Sequence, residues 1–128
     1  MSGSDLAQAT IGQIAVLVQD LDRATTHYRD TLGFPLLFQF PGLAFFRCGD
    51  VRFMLSRAEK PEFDHPGSVL YFKVGDIDAV HQTLTSRGVA FVDAPHLIHR
   101  APNYELWMAF FKDSEGNTLA LMQEKPTD

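Results

Sequence analysis

Several features that mark specialised classes of protein are scarce in this sequence. Its single cysteine, Cys48, rules out a disulfide within the chain and fits the reducing conditions of a cytoplasm. Basic residues are outnumbered, with 11 Lys and Arg against 16 Asp and Glu, and the formal net charge is −5. Because phosphate binding needs clustered Lys and Arg, we expect no nucleic-acid partner. The single cysteine leads us to expect a cytoplasmic protein.

Long apolar runs are also missing. No stretch approaches the roughly 20 apolar residues that a membrane-spanning helix needs, so we expect no membrane partner. The first ten residues, MSGSDLAQAT, lack the basic and apolar segments of a signal peptide. Their serine and glycine content predicts a frayed or disordered N-terminus over residues 1–10.

The chain does contain enough apolar material for one folded domain. Apolar residues make up 45% of the 128 positions, and the sequence has 11 phenylalanines. A chain of this length buries roughly two-thirds of its unfolded surface, so it can fold without a disulfide or a structural metal. We place the single domain at residues 11–124.

The domain contains an internal repeat. Residues 14–34, IAVLVQDLDRATTHYRDTLGF, and residues 70–89, LYFKVGDIDAVHQTLTSRGV, each place an apolar strand before a V-x-D-[LI]-D motif and a helical pattern. The first Asp of each motif, Asp20 and Asp76, predicts a helix N-cap. Gly33 and Gly88 are typical of the residue that follows a helix. The agreement is too long for chance, so we infer two copies of one structural unit.

Three apolar segments with strand character follow each predicted helix. They are PLLFQF, LAFFRC and VRFMLS in the first half, and AFVDAPHLIH, ELWMAFFK and NTLALMQ in the second. Turn sequences separate them. The polar segment 57–68 then links repeat one, residues 11–56, to repeat two, residues 69–124. The layout predicts an α+β fold of two βαβββ modules with eight strands.

This pattern resembles the vicinal oxygen chelate superfamily, which includes glyoxalase I, extradiol dioxygenases, methylmalonyl-CoA epimerase and the bleomycin-resistance proteins. The specific segments are VQDLDRATTHYRDTLGF and FFKDSEGNTLAL. The latter is similar to the F-x-D-P-D-G-N-x-x-E hairpin of the family, with Ser114 in place of proline. The resemblance covers about residues 11–124 and implies the paired-module fold, a curved, cup-shaped mixed sheet with the helices outside. Several chemistries share that scaffold.

In the metal enzymes of the family, four inward side chains on the first and last strand of each module bind one divalent ion. The resemblance maps these positions onto Gln13, Met54, Val69 and Ala120. Only Gln13 offers an oxygen donor, and a thioether suits soft copper rather than zinc, iron or nickel. We therefore expect no metal and no other cofactor at this site, with a divalent ion kept as the alternative.

Strand alternation from these positions predicts a largely apolar cup with a few polar side chains. Its expected lining residues are Gln13, Phe45, Arg47, Arg52, Met54, Val69, Tyr71, Trp107, Met108, Phe110 and Ala120. Such a lining suits an apolar or aromatic small molecule, although a cup filled by its own side chains is the alternative. The register of residues 104–111 stays open, because a bulge would turn Glu105 and Trp107 inward in place of Met108 and Phe110.

One further group could carry chemistry. The turn APNY brings His99 close to Glu105, and a His–Glu pair can bind a metal or transfer a proton. It can equally be a plain ion pair, and Arg100 beside it could contact an anion.

The sequence leaves two hypotheses for the function. The first is a metal-free binding protein, homodimeric through the apolar segment FPLLFQFPGL. The second is a glyoxalase-, epimerase- or dioxygenase-like enzyme with a divalent metal displaced to Gln13, His99 and Glu105.

Overall fold

The computed structural model describes residues 7–8, 10–57 and 67–127. Most of the predicted linker and of the predicted frayed N-terminus lies outside these residues. The first module contains β1 (Gln13–Leu17), α1 (Leu21–Thr26), a π-helical turn (His27–Thr31), β2 (Leu36–Phe40), β3 (Leu43–Cys48) and β4 (Val51–Ser56). The second contains β5 (Leu70–Lys73), α2 (Ile77–Ser86), β6 (Ala90–Phe91), β7 (His96–Arg100), β8 (Tyr104–Lys112) and β9 (Thr118–Pro126).

The two modules share one strand topology, which confirms the repeat. The first sheet has the order β1-β4-β3-β2, and the second has β5-β9-β8-β6 with β7 also paired to β8. In each module the first strand runs parallel to the last, and the remaining pairs are antiparallel. The fold is therefore the predicted α+β pair of βαβββ modules, with its strands divided between two sheets.

The predicted helix ends are confirmed. The Asp20 carboxylate accepts a hydrogen bond from the Arg23 amide at 3.1 Å, and the Asp76 carboxylate accepts one from the Ala79 amide at 3.1 Å. These bonds satisfy amides that have no partner within the helix. Gly33 and Gly88 both have φ of +87°, a left-handed conformation that only glycine adopts without strain.

The π-helical turn has a simple origin in the sequence. Thirteen positions separate Asp20 from Gly33, whereas twelve separate Asp76 from Gly88. A π-turn accommodates one extra residue in a helix without changing where the helix ends. The Leu32 amide accordingly bonds to the His27 carbonyl at 2.9 Å, five residues back. The repeat thus keeps equivalent end points despite the unequal lengths of its two helical segments.

The helices cover one face of each sheet and share a single core. Its largest fully buried side chains are Tyr28, Phe46, Phe53, Phe111, Leu55, Ile77, Leu119 and Val18. Phe72 on β5 joins the modules, with its ring 5.3 Å from that of Phe34 and stacked 6.1 Å from that of Phe53. We call the face of each sheet that packs against the helices the helix-covered face, and the opposite face the open face.

Polar contacts reinforce the junction of the modules. The Tyr28 hydroxyl donates to the Asp113 carboxylate at 2.7 Å, and the Arg87 guanidinium donates to the Thr31 carbonyl at 3.2 Å. Burial first, and then the charge and hydrogen bond of Asp113, raise the pKa of Tyr28 far above its ordinary value. The tyrosine therefore stays a neutral donor.

The segment AFVDAPHLIH is not one strand, and this corrects the expected count of eight. It divides into β6 and β7, so the described residues form nine strands. Pro95 has no amide to give to a strand pairing. Just before it, the Asp93 side chain accepts a hydrogen bond from the Phe110 amide at 2.9 Å, in place of a strand carbonyl.

The helices of the described residues are all too short, or too polar, to span a membrane.

Candidate ligand-binding faces

The open face of the first sheet is built by strand alternation. Two rows of neighbouring residues cross it from β1 through β4 to β3: Gln13, Arg52 and Arg47, and then Ala15, Met54 and Phe45. The Gln13 amide nitrogen lies 3.9 Å from the Met54 sulfur. Gln13 therefore makes a weak polar contact to a thioether, at an exposed position.

Two aromatic residues that the sequence analysis missed complete this face. Phe38 and Phe40 on β2 place their rings 4.7 and 6.2 Å from the ring of Phe45, and 5.5 Å from each other. Phe45 is nearly buried, whereas Phe38 and Phe40 remain 40% and 56% exposed. The period-two spacing in FQF could have identified them, because it puts both phenylalanines on one side of a strand.

Two arginines border this aromatic cluster. Arg47 and Arg52 are cross-strand neighbours, and both are exposed. The Arg52 guanidinium lies 5.8 Å from the centre of the Phe45 ring, within reach of a cation–π interaction. Within the described residues neither arginine forms an ion pair, so the face has two uncompensated positive charges.

The open face of the second sheet has a different character. A row runs from Tyr71 through Ala120 to Phe110, and the two rings meet edge to face at 5.9 Å. Ala120 beneath them is 0% exposed. The next row places Lys73, Met122 and Met108 side by side, and Lys73 pairs with Glu124 at 3.4 Å. This face is apolar at its centre, and its lysine has an acidic partner.

The four positions that correspond to the metal ligands of the family do not fit a divalent ion. Gln13 and Met54 adjoin each other on the first sheet, while Val69 precedes β5 and Ala120 lies buried on β9. One amide oxygen, one thioether and two hydrocarbon groups cannot replace the water shell of such an ion. Nor do the described ranges contain a group of three or more His, Cys, Asp and Glu placed to hold a metal.

A cavity of about 520 Å³ lies along the edges of the two sheets, between β1 and the start of β5. It is lined by residues 14–17 of β1, residues 67–70 at the start of β5 and residues 116–119. The aromatic and arginine side chains of the open faces are not part of this lining. The cavity volume lies within the range of small-molecule sites, roughly 300–1,000 Å³.

Trp107 does not lie with the other expected lining residues. Tyr104, Leu106, Met108 and Phe110 alternate onto the open face of β8, which places Trp107 on the helix-covered face against the core. Its indole N–H donates to Glu105 at 3.1 Å, and Lys125 lies 4.3 Å from the ring centre. Regular pairing of β8 with β9, without a bulge, explains this correction.

The expected pair of His99 and Glu105 does not form either. A shift of register in β7 places His99 opposite Leu106 and Arg100 opposite Glu105. The Arg100 guanidinium then lies 3.2 Å from the Glu105 carboxylate. Gln13 is on the other sheet, so the displaced metal site considered from the sequence is not assembled.

Cys48, on β3, offers no nucleophile to either face. It is half-buried, and burial raises the pKa of its thiol. A cysteine acts as a nucleophile through its thiolate, which a raised pKa disfavours. Among the described residues, the open faces thus present aromatic, aliphatic and charged side chains.

Two βαβββ modules, each with a sheet open on one face, define a class of proteins that bind small molecules or metal ions on one scaffold. A sequence profile of the Glyoxalase/Bleomycin resistance protein/Dioxygenase superfamily matches residues 10–121. The chain belongs to this superfamily.

Solved structures of the superfamily resemble the chain over nearly its whole length. TnmS3, an antibiotic binding protein from Streptomyces sp. CB03234, is 29% identical with a TM-score of 0.74, over 94% of this chain and 100% of its own. A lactoylglutathione lyase from Agrobacterium tumefaciens is 24% identical with a TM-score of 0.70, over 91% and 95%. A glyoxalase/bleomycin resistance protein/dioxygenase from Alicyclobacillus acidocaldarius is 17% identical with a TM-score of 0.72, over 91% and 92%. No curated protein matches the chain at a significant level.

Proposed function

We propose that this protein binds an apolar or aromatic small molecule without a metal ion, and that it acts by holding its ligand rather than by transforming it. The carrying observation is the chemistry of Gln13, Met54, Val69 and Ala120. These side chains disfavour a divalent ion, while the partly exposed Met54 and the exposed Val69 present apolar groups that can contact an apolar molecule.

The surroundings of these four residues support the same proposal. Phe38, Phe40 and Phe45 form an aromatic cluster on one open face, and Tyr71 with Phe110 forms a second on the other. Aromatic faces favour flat, apolar ligands through contact area and ring stacking. TnmS3, a relative described as an antibiotic binding protein, has the kind of activity that we propose for this chain.

We further propose a cytoplasmic homodimer. Each open face leaves large apolar side chains exposed, with Phe40 at 56% and Tyr71 at 47%. Such surfaces are uncommon on a monomer unless they serve a partner or a ligand. In a two-fold dimer the first open face of one copy can lie opposite the second open face of its partner, and the ligand between them is then shielded from water.

The enzyme hypothesis has less support from the geometry. The Glu105 carboxylate is already held by Arg100 and Trp107, and it turns away from the face on which Met108 lies. A general base or metal ligand needs a free carboxylate pointed at the ligand. A catalytic role for Glu105 would therefore require a rearrangement of β7 and β8.

The proposal is tested by metal analysis and binding on the same protein. The chain is purified without chelator or metal-affinity resin, its metal content is measured by mass spectrometry, and binding of the fluorescent apolar probe N-phenyl-1-naphthylamine is titrated with and without EDTA. We expect metal well below one ion per chain and probe affinity unchanged by EDTA. A stoichiometric ion whose removal abolishes binding would contradict the proposal.

A Gln13→Ala variant is the matched control, because it removes the one oxygen donor among the four positions. It should leave the metal content unchanged if no ion is bound there. Sedimentation equilibrium on the same samples tests the dimer. A mass of one 14.3 kDa chain at micromolar concentration would exclude the homodimer without affecting the binding result.

A further inference from the structure

We infer that the open face of the first sheet selects aromatic molecules that carry an acidic group, with Arg47 and Arg52 binding the acid and Phe38, Phe40 and Phe45 binding the rings. This inference rests on the proposed function and specifies the class of ligand. It follows from three observations on this face: the exposed phenylalanines, the paired arginines and the absence of any acidic side chain among its strands.

The charge on this face runs against the composition of the chain. The protein has a formal net charge of −5, yet β1 to β4 contain no Asp or Glu. Arg47 and Arg52 stand directly opposite each other, an arrangement that destabilises a sheet when both residues bear the same charge. An anion between the two guanidinium groups would turn this repulsion into attraction on both sides.

The second open face provides an internal comparison. Its basic residue Lys73 is paired with Glu124 across the sheet at 3.4 Å. In the described residues the first face has no such acidic partner for either arginine. Asp50, in the turn between β3 and β4, forms no ion pair with them, so a bound acid would be the partner that both arginines lack among these residues.

The positions of the arginines also indicate that the acidic group should be attached to an aromatic ring system. The Arg52 guanidinium lies 5.8 Å from the centre of the Phe45 ring, and the tilted ring of Phe38 lies 4.7 Å from the same centre. A ligand whose rings contact Phe38 and Phe40 would thus bring an attached carboxylate or sulfonate to the arginines. Planar guanidinium groups bind such oxygens through paired N–H donors.

Two probes with the same ring system separate the acidic group from the rings. 8-Anilinonaphthalene-1-sulfonate and N-phenyl-1-naphthylamine differ in the sulfonate, and both become fluorescent in an apolar site. The full chain should bind the sulfonate at least about tenfold more tightly, since hydrogen bonds to charged groups contribute more than neutral ones. The preference should also fall as salt concentration rises, because ions screen exposed charges.

Variants then assign the preference to these residues. Arg47→Gln and Arg52→Gln should each reduce it, and the double variant should abolish it while N-phenyl-1-naphthylamine binds as before. Arg29→Gln is the matched control, because it also removes one exposed positive charge but lies on the first helical segment beside Asp30. Phe40→Ala should weaken binding of both probes.

The outcomes distinguish this inference from the proposed function. If the wild type binds both probes equally, or if the double variant keeps the sulfonate preference, the acidic ligand is excluded while the apolar binding protein stands. If neither probe binds, both proposals fail. If Phe40→Ala lowers the sedimentation mass but changes neither affinity, a second copy covers this face and the inference is overturned.

Discussion

Tyr28 and Asp113 are joined by a 2.7 Å hydrogen bond that connects the first module to the turn between β8 and β9. The same carboxylate accepts bonds from the Glu115 and Asn117 amides, both at 2.8 Å, and from the Asn117 side chain at 2.9 Å. The aspartate of the D-x-x-G-N motif therefore acts as a structural acceptor. It orders its own turn and anchors the opposite helix at once.

Removing the hydroxyl tests this junction. We expect Tyr28→Phe to reduce the free energy of unfolding by about 1–2 kcal/mol, because a buried hydrogen bond to a charged acceptor is lost while the other donors to Asp113 remain. Urea denaturation measures the change. Tyr104→Phe is the control, since the Tyr104 hydroxyl makes no hydrogen bond among the residues described; an equal loss in both variants would contradict a special role for Tyr28.

The raised pKa of Tyr28 predicts a loss of stability in alkali. The folded state favours the protonated phenol more than the unfolded state does, whose pKa is near 10. This contribution is complete below that pH and is lost as the pH rises above it. The midpoint of thermal unfolding should therefore fall more steeply between about pH 9 and 11 in the wild type than in Tyr28→Phe. Parallel plots of the unfolding midpoint against pH for the two proteins would contradict this role of the Tyr28 hydroxyl.

His27 predicts a loss of stability in weak acid. Burial lowers its pKa below 6.5, Asp113 opposes this shift and Arg23 adds to it. The folded state thus favours the neutral ring, so this contribution is present above about pH 6.5 and is lost as the pH falls through the lowered pKa. The plot of the thermal unfolding midpoint against pH should be flatter for His27→Gln than for the wild type between about pH 7 and 5. Equal slopes for the two proteins would contradict this role of His27.

Ala120 and Met54 should respond differently to a carboxylate. Ala120→Glu would force a charge beneath the rings of Tyr71 and Phe110, and we expect it to cost about 3 kcal/mol or more. Met54→Glu replaces a partly exposed side chain close to Arg52, so we expect a change below about 1 kcal/mol. Chemical denaturation of both variants measures the two changes in the free energy of unfolding. Equal costs would mean that the position of Ala120 is not enclosed.

Much of this fold could be predicted from the sequence because the helix ends and the strand faces depend on residues that are close together in the chain. Asp20 and Asp76 could be recognised as caps, and Gly33 and Gly88 as helix ends, since each fulfils a requirement of the adjacent backbone. Strand alternation placed Met108 and Phe110 on one face for the same reason. The family resemblance supplied the pairing of modules, which no local signal contains.

The errors occurred where distant residues decide the outcome. Asp93 takes an amide of β8 and divides a segment that reads as one strand. The register shift in β7 depends on its pairing with β8, and it exchanges His99 for Arg100 opposite Glu105. Trp107 turns to the core because β9 pairs regularly along β8. None of these contacts has a signature within its own segment.

The division of the strands into two sheets has a mechanical consequence. Where the chain is described, the modules are joined by rings such as Phe72 on Phe53 and by single hydrogen bonds such as Tyr28 to Asp113, with no strand ladder between them. The angle between the sheets is therefore set by side-chain packing in the shared core rather than by backbone hydrogen bonds. The width of the cavity between β1 and β5 depends on the same packing, so a substitution in the core at Phe72 or Phe53 can change that width without breaking a strand pairing.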